Sequence, residues 1–271
     1  MKLHIHAGLH KTATSSFQLF CDKNRKQLTE LGLLYPKFRF WQHGELAWWL
    51  QQGREDDVRD HLLSIRRNNH GCHSCLLSGE DFENYILDVH TASTFEKIAL
   101  ASGFESVSWH IVTREIDAMV QSLYGELSKQ NVVVDLATLK KAAHERGAFF
   151  ASHKNYNFIF VLDYQRFQCR FRSSVTSVYE YKFEDFCKGD IGSVLIQEIL
   201  HPDDFEDFLR RNWKDVGNAN ERQSELQIEL NYLATKLGLP WLKRRRYRPV
   251  SVPALYLLNS LKKMTNRTNI S

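Results

Sequence analysis

The chain has 271 residues, 43% of them apolar and 25% charged; 36 Lys and Arg against 32 Asp and Glu give a net charge of +4. This length can bury a sizeable core in one large domain or two small ones, and the composition is ordinary for a soluble globular protein. The weak basicity suits a polyanionic ligand, whereas nucleic-acid binding usually shows a denser basic face. The N-terminus enters an apolar strand at once and no apolar run is long enough to span a bilayer. A cytoplasmic protein with no transmembrane segment is therefore expected. Five scattered cysteines (Cys21, Cys72, Cys75, Cys169, Cys187) read as reduced thiols. Cys72-His73-Ser74-Cys75, with His70 nearby, has the form of half a zinc site, but no second C-x-x-C completes it and no metal is expected.

In chain order, apolar patterning predicts a strand over 3–7, a helix over 15–31, a strand over 33–35, a helix over 45–66 and a strand over 74–78. A helix over 91–101, a strand over 106–113 and helices over 116–129 and 136–144 follow. The run 158–162 ends on Asp163 like a metal-binding strand of a nucleotide hydrolase. Tyr164, Phe167 and Phe171 continue it at spacings of three and four, which predicts a helix over 157–171. A last strand over 175–181 precedes helices over 191–200, 203–211 and 221–237. No linker, repeat or low-complexity tract interrupts this alternation. It predicts one α/β domain over 1–271, three layers with a central parallel sheet flanked by helices, and a basic segment 243–271 as lid or tail. Ligands of such sheets bind beyond the C-terminal strand ends. The loop 8–16, Gly79-Glu80 and Arg114 all leave strands at that edge.

The first of these loops is the most informative stretch. Strand 3–7 runs into Gly8-Leu9-His10-Lys11-Thr12-Ala13-Thr14-Ser15-Ser16 and then an amphipathic helix. A strand, loop and helix N-terminus of this kind aim backbone N–H groups at one point, and Lys11 adds a charge. One cap needs one hydroxyl, so four hydroxyl residues behind a lysine favour an anion site over a plain helix cap. Both glycines of a Walker A loop are missing, since the matching positions hold Ile5 and His10.

The string resembles the 5′-phosphosulfate loop of sulfotransferases in its bacterial form, H-x-G-x-x-K-T-[GA]-[ST]-[ST]-S-x-Q. His6, Gly8, Lys11, Thr12, Ala13, Thr14, Ser15, Ser16 and Gln18 occupy the matching places. Downstream, Arg114 at a strand end and Ser122 eight residues on resemble the R-x7-S-x-Y pattern that holds the donor's 3′-phosphate, with Tyr124 completing it. The segment 178–186 resembles the last strand of these enzymes, in a structural role. The resemblance implies a P-loop-like fold, 3′-phosphoadenosine 5′-phosphosulfate as donor, adenosine 3′,5′-bisphosphate as product, and no required metal. Thr12, Ala13, Thr14 and Ser15 would hold the phosphosulfate through backbone and hydroxyl donors. Lys11 would neutralise the leaving oxygen, and Arg114 and Ser122 would grip the 3′-phosphate. Membrane-anchored Golgi relatives carry an N-terminal anchor, so a bacterial type or a shortened chain is expected.

An acceptor hydroxyl needs a base. Some relatives place a Glu after a central strand, and Glu80 matches that place. Asp81, His10 in the loop and His43 are the competitors. Aromatic residues of 38–52 (Phe38, Phe40, Trp41, Trp48, Trp49) could wall a cleft for a carbohydrate or phenolic acceptor or pack in the core. The basic run 243–248 reads as solvated surface or as a lid over the 3′-phosphate, without the R-K-G-x-x-G-D-W pattern of the family. Two other classes stay open: a P-loop kinase or nucleotide hydrolase, and a catalytically silent nucleotide-binding module.

Overall fold

The computed structural model describes residues 1–38, 41–69, 71–130, 132–153, 156–214 and 224–238. Phe40, His70, the start of the helix expected over 221–237 and the basic segment 243–271 lie outside them. The central sheet is parallel and five-stranded, in the order β2 (Leu33–Leu34), β3 (Ser74–Ser78), β1 (Lys2–His6), β4 (Val107–Thr113), β7 (Val178–Lys182). Its middle strands are buried on both faces, which is why they read as near-continuous apolar runs.

Helices cover both faces, giving the three-layer α/β architecture. On one side α3 (Gly44–Gln51), α4 (Glu55–Asn68), α5 (Asn84–Leu87) and α6 (Val89–Ala101) pack on Leu3, Ile5, Leu77 and Trp109. Val58, Leu62 and Ile65 of α4 repeat at helical spacing on its buried side. On the other side lie α1 (Thr14–Lys23), α2 (Arg25–Glu30), α10 (Phe183–Phe186), α11 (Ser193–Ile199) and α12 (Pro202–Arg210). They bring Phe17, Phe186, Leu195 and Phe208 against Leu76 and Val112. A third apolar cluster joins α7 (Ile116–Lys129), α8 (Leu136–Arg146), the antiparallel hairpin β5 (Ala148–His153) and β6 (Tyr156–Val161), and α13 (Glu225–Lys236). Among the described residues no helix is long and apolar enough to cross a membrane.

Three sequence expectations are corrected. The helix predicted over 157–171 is strand β6 followed by α9 (Gln165–Arg172). Phe158 and Phe160 are buried while Ile159 is exposed, a period of two that abuts the three-and-four spacing of Tyr164, Phe167 and Phe171. The helical pattern holds only beyond Asp163, and β5 had no signal of its own. Because β6 pairs with β5 outside the parallel sheet, Asp163 does not end a central strand. The helix over 15–31 breaks at Asn24, whose side-chain amide donates to the Phe20 carbonyl at 2.9 Å. The helix over 45–66 breaks at Gly53, which takes φ +74° at the end of α3.

Three buried histidines line the α1 side of the sheet. His4 Nδ1 and His110 Nε2 lie 3.0 Å apart, His110 Nδ1 lies 2.8 Å from the Tyr181 hydroxyl, and His6 Nδ1 lies 2.8 Å from Ser78 Oγ. Burial lowers all three pKa values: those of His4 and His6 fall from 6.5 to about 3, and that of His110 drops well below its ordinary value. In the unfolded chain the same groups bind protons near 6.5, so the unfolded state binds more protons below that pH. These three histidines should therefore add no pH dependence of stability above about pH 7 and should lower it on acidification, by up to ~1.4 kcal/mol per pH unit for each. Urea midpoints measured from pH 8 down to pH 5 check this; a flat series would mean that the three rings are hydrated.

Candidate functional site

The loop between β1 and α1 is the organising element of the site. Gly8 takes φ +87°, and Lys11 and Ala13 take φ 62° and 64°, the two non-glycine residues with positive φ among the described residues. Each costs on the order of 1–2 kcal/mol unless its surroundings hold it. Thr12 Oγ1 donates to the Leu9 carbonyl at 2.5 Å and Thr14 Oγ1 to the same oxygen at 3.2 Å. The His10 N–H donates to Glu83 Oε2 at 2.6 Å, and Arg114 Nη1 donates to the Lys11 carbonyl at 3.0 Å. The two threonine hydroxyls were expected to donate to a ligand, and their hydrogens are spent on the loop itself. Their main-chain N–H groups are the usable donors. With those of Ala13 and Ser15 they take no acceptor among the described residues, while Ser16 and Phe17 donate to the Ala13 carbonyl. Ala13 caps α1 without a side-chain bond and no acidic residue sits in its first turn, so the positive helix end is unscreened.

Across from the loop, β3 ends at Ser78. Gly79 then lets the chain pass against the start of α3, since an added Cβ would lie 2.6 Å from Gly44 N and 2.7 Å from its Cα. A 3-10 turn over Glu80–Glu83 follows, carrying three carboxylates that part company. Asp81 Oδ1 accepts the Trp48 indole N–H at 2.7 Å. Glu83 is fully buried and accepts from the Val161 N–H, the His10 N–H and His10 Nδ1, the last at 2.8 Å. Glu80 keeps 29% of its side chain exposed, and its Oε2 lies 3.4 Å from His10 Nε2. Burial raises the Glu80 pKa against the lowering pull of His10 and Lys11. Burial alone would lower that of His10, but the charges of Glu80 and Glu83 and the Glu83 hydrogen bond outweigh it and raise the value to about 9. His10 is thus a cation at neutral pH, not a free base.

His43 is also set aside as a base. It is fully buried, its Nδ1 accepts the Ser78 N–H at 3.0 Å, and its Nε2 donates to the Pro36 carbonyl at 2.9 Å. It pins the segment before α3 to the end of β3. His6 ends β1, with its ring hydrogen-bonded to Ser78 at the end of the neighbouring β3.

Lys11 Nζ lies 3.5 Å from Glu126 Oε2 on α7, and Glu126 also meets Lys129 at 3.4 Å. Ser122 precedes Glu126 by one helical turn and shares its face, the face of α7 that meets Lys11. Arg114 leaves β4 with its guanidinium 4.3 Å over the Phe183 ring. The structure therefore gathers Gly8, the Lys11–Ser16 loop, Glu80, Arg114 and the Ser122 face of α7 at the C-terminal sheet edge. Of the expected aromatic wall, Trp48 stands beside Asp81, whereas Phe38 and Trp49 pack with His61. Cys72 and Cys75 are buried, and no group of three or more His, Cys, Asp or Glu among the described residues could hold a metal ion.

Glu83 and Glu126 had no role assigned from sequence. Glu83 sits in a run of three carboxylates over four residues, and nothing in one-dimensional pattern tells which of them turns inward. Glu126 reads as an ordinary exposed helix acid. No protein-family model matches the chain, and neither do any of the curated proteins or solved structures compared with it.

Because Gly79 meets main chain rather than a movable side chain, Gly79→Ala should cost about 1–3 kcal/mol through overpacking. Gly71→Ala, where an added Cβ meets nothing within 4 Å, should stay within about 0.5 kcal/mol. Denaturant unfolding of both variants checks the close approach; equal stability would mean that α3 and β3 separate freely.

Proposed function

We propose that this protein is a sulfotransferase that moves a sulfuryl group from 3′-phosphoadenosine 5′-phosphosulfate to a hydroxyl, or an amine, of a carbohydrate or small-molecule acceptor. The observation that carries the reading is the facing pair at one sheet edge: an anion loop with unengaged N–H donors and Lys11, opposite a partly exposed Glu80. The match of the loop and of Arg114 with Ser122 to the family motifs supports it from the sequence side. A bacterial type and a cytoplasmic setting go with this reading.

The donor, when bound, supplies the sulfuryl group. The N–H groups of Thr12, Ala13, Thr14 and Ser15 hold phosphosulfate oxygens at the positive end of α1. Lys11 turns from Glu126 to meet the charge that grows on the leaving oxygen. Arg114 and Ser122 take the 3′-phosphate. Glu80 accepts the acceptor's proton as the new sulfur–oxygen bond forms and the bond to the phosphate oxygen breaks. The work of the protein is positioning and charge, as in phosphoryl transfer. Trp48, held by Asp81, stands on the acceptor side as an aromatic face on which a sugar or phenol stacks.

Calorimetric titration should show adenosine 3′,5′-bisphosphate binding in the micromolar range or tighter without metal. Ser122→Ala should weaken it by roughly 1.5–3 kcal/mol while leaving adenosine 5′-phosphosulfate, which lacks the 3′-phosphate, nearly unchanged. Arg114→Ala should weaken both ligands, because it also releases the Lys11 carbonyl. Tighter binding of ATP with magnesium than of the bisphosphate would replace this reading with a kinase.

Glu80→Gln should keep bisphosphate affinity and lose about 10²–10⁴-fold in turnover, the span of a general base. Since burial raises the Glu80 pKa, the acidic limb of the wild-type pH–rate profile should lie above the ordinary carboxylate range and vanish in the variant. Turnover that survives Glu80→Gln would move the role to Asp81.

A further inference from the structure

We infer that Glu83 is a positioning residue of this site: through His10 it forms a carboxylate–imidazole–carboxylate chain that holds Glu80 in place as the proton acceptor. The inference rests on the reading of Glu80 as base and extends it to residues that the sulfuryl-transfer motifs leave out.

The chain is continuous. Glu83 Oε2 receives both the His10 N–H at 2.6 Å and His10 Nδ1 at 2.8 Å, and the opposite ring nitrogen lies 3.4 Å from Glu80 Oε2. Each ring nitrogen thus faces a carboxylate oxygen. A neutral imidazole carries one hydrogen, so it would turn a lone pair on one of the two anions; an imidazolium donates to both. Glu83 is fully buried, and a buried carboxylate needs a cation or several donors. His10 is its cationic partner among the described residues.

The hairpin closes the arrangement. The other Glu83 oxygen accepts the Val161 N–H at the end of β6, and Phe158 and Phe160 bring their rings to 4.5 and 4.8 Å from the His10 ring. One carboxylate therefore ties the anion loop to the hairpin, whose two aromatic rings shield His10. The groups that face this chain are Asp81, held by Trp48, and Lys11, which also pulls on Glu80. From the hairpin, the residues described against His10 are the apolar Phe158 and Phe160. When Glu80 takes the acceptor's proton, the imidazolium beside it favours its return to the ionised form, and the proton leaves to water through the exposed face of Glu80.

The test is nitrogen NMR of the histidine-labelled full chain, which needs neither donor nor acceptor. In the wild type both His10 ring nitrogens should carry hydrogen at pH 7.5; an ordinary midpoint near 6.5 would overturn the proposal. Glu83→Gln, which removes the charge and keeps an oxygen, should lower the proton affinity of His10 about tenfold or more, and an unchanged midpoint would overturn it. Should that variant not fold, Glu80→Gln decides: His10 should stay charged at pH 7.5 because Glu83 holds it, and a neutral ring there would transfer the hold to Glu80. In turnover, Glu83→Gln should move the acidic limb toward higher pH with little change in KM. A chain that titrates as expected and transfers no sulfuryl group would overturn the functional reading, and with it the proton-acceptor role, while leaving the Glu83–His10–Glu80 charge pairing standing.

Discussion

Two non-glycine residues in the left-handed region make the loop after β1 a strained object, and the rest of the site is arranged to hold it. Lys11 and Ala13 together cost a few kcal/mol of backbone energy. Four restraints offset this: the two threonine hydroxyls on the Leu9 carbonyl, Glu83 on the His10 N–H, and Arg114 on the Lys11 carbonyl. These restraints come from the loop itself, from the turn after β3 and from the end of β4. They are adjacent because the parallel sheet brings its C-terminal edges to one side. The strain and the topology are therefore one design: a conformation that leaves N–H groups without an acceptor among the described residues is held where three strand ends meet.

Histidine shows how environment, not residue type, assigns chemistry here. His4, His6 and His110 lie under α1 without a carboxylate and are held neutral by burial. His10, a few residues further along, meets two carboxylates and is held charged. His43 has both ring nitrogens on main-chain groups and serves as a brace. Five histidines thus divide into a buried polar layer, a cation and a structural pin. The acid lability of the first group and the charge of the fourth follow from the same balance of desolvation against nearby charge.

The parts legible in the sequence were those written in local pattern. The middle strands of the sheet are visible as apolar runs, and Ser74–Ser78 and Ile116–Lys129 agree with their predicted bounds. The loop after β1 stands out because Gly8, Lys11 and the hydroxyl run are contiguous. The hairpin was not, because the alternation around Phe158 and Phe160 is short and runs without a break into the helical spacing of α9. Roles set by long-range contact were also hidden. Glu83 is read by a histidine 73 positions earlier and an amide 78 positions later, and neither contact leaves a trace in spacing. The threonine hydroxyls, expected to donate to a ligand, donate instead to the loop's own Leu9 carbonyl, an acceptor that residue type alone does not reveal.

On the proposed reading, Lys11 is the residue that links these observations to turnover. Its amine rests 3.5 Å from Glu126, a carboxylate that α7 also supplies with Lys129 and Gln130 as partners. Burial would raise the Glu126 pKa, yet Lys11 and Lys129 hold it below the ordinary range, so the carboxylate stays charged throughout the neutral region. An anion at the loop competes with Glu126 for Lys11, and the exchange is nearly balanced because a partly exposed pair contributes only about 0.2–1 kcal/mol. The lysine is in this way kept near its working position without a deep well to climb out of. Glu126 retains two other partners when Lys11 departs, so no buried charge is left bare at the moment the ligand is engaged.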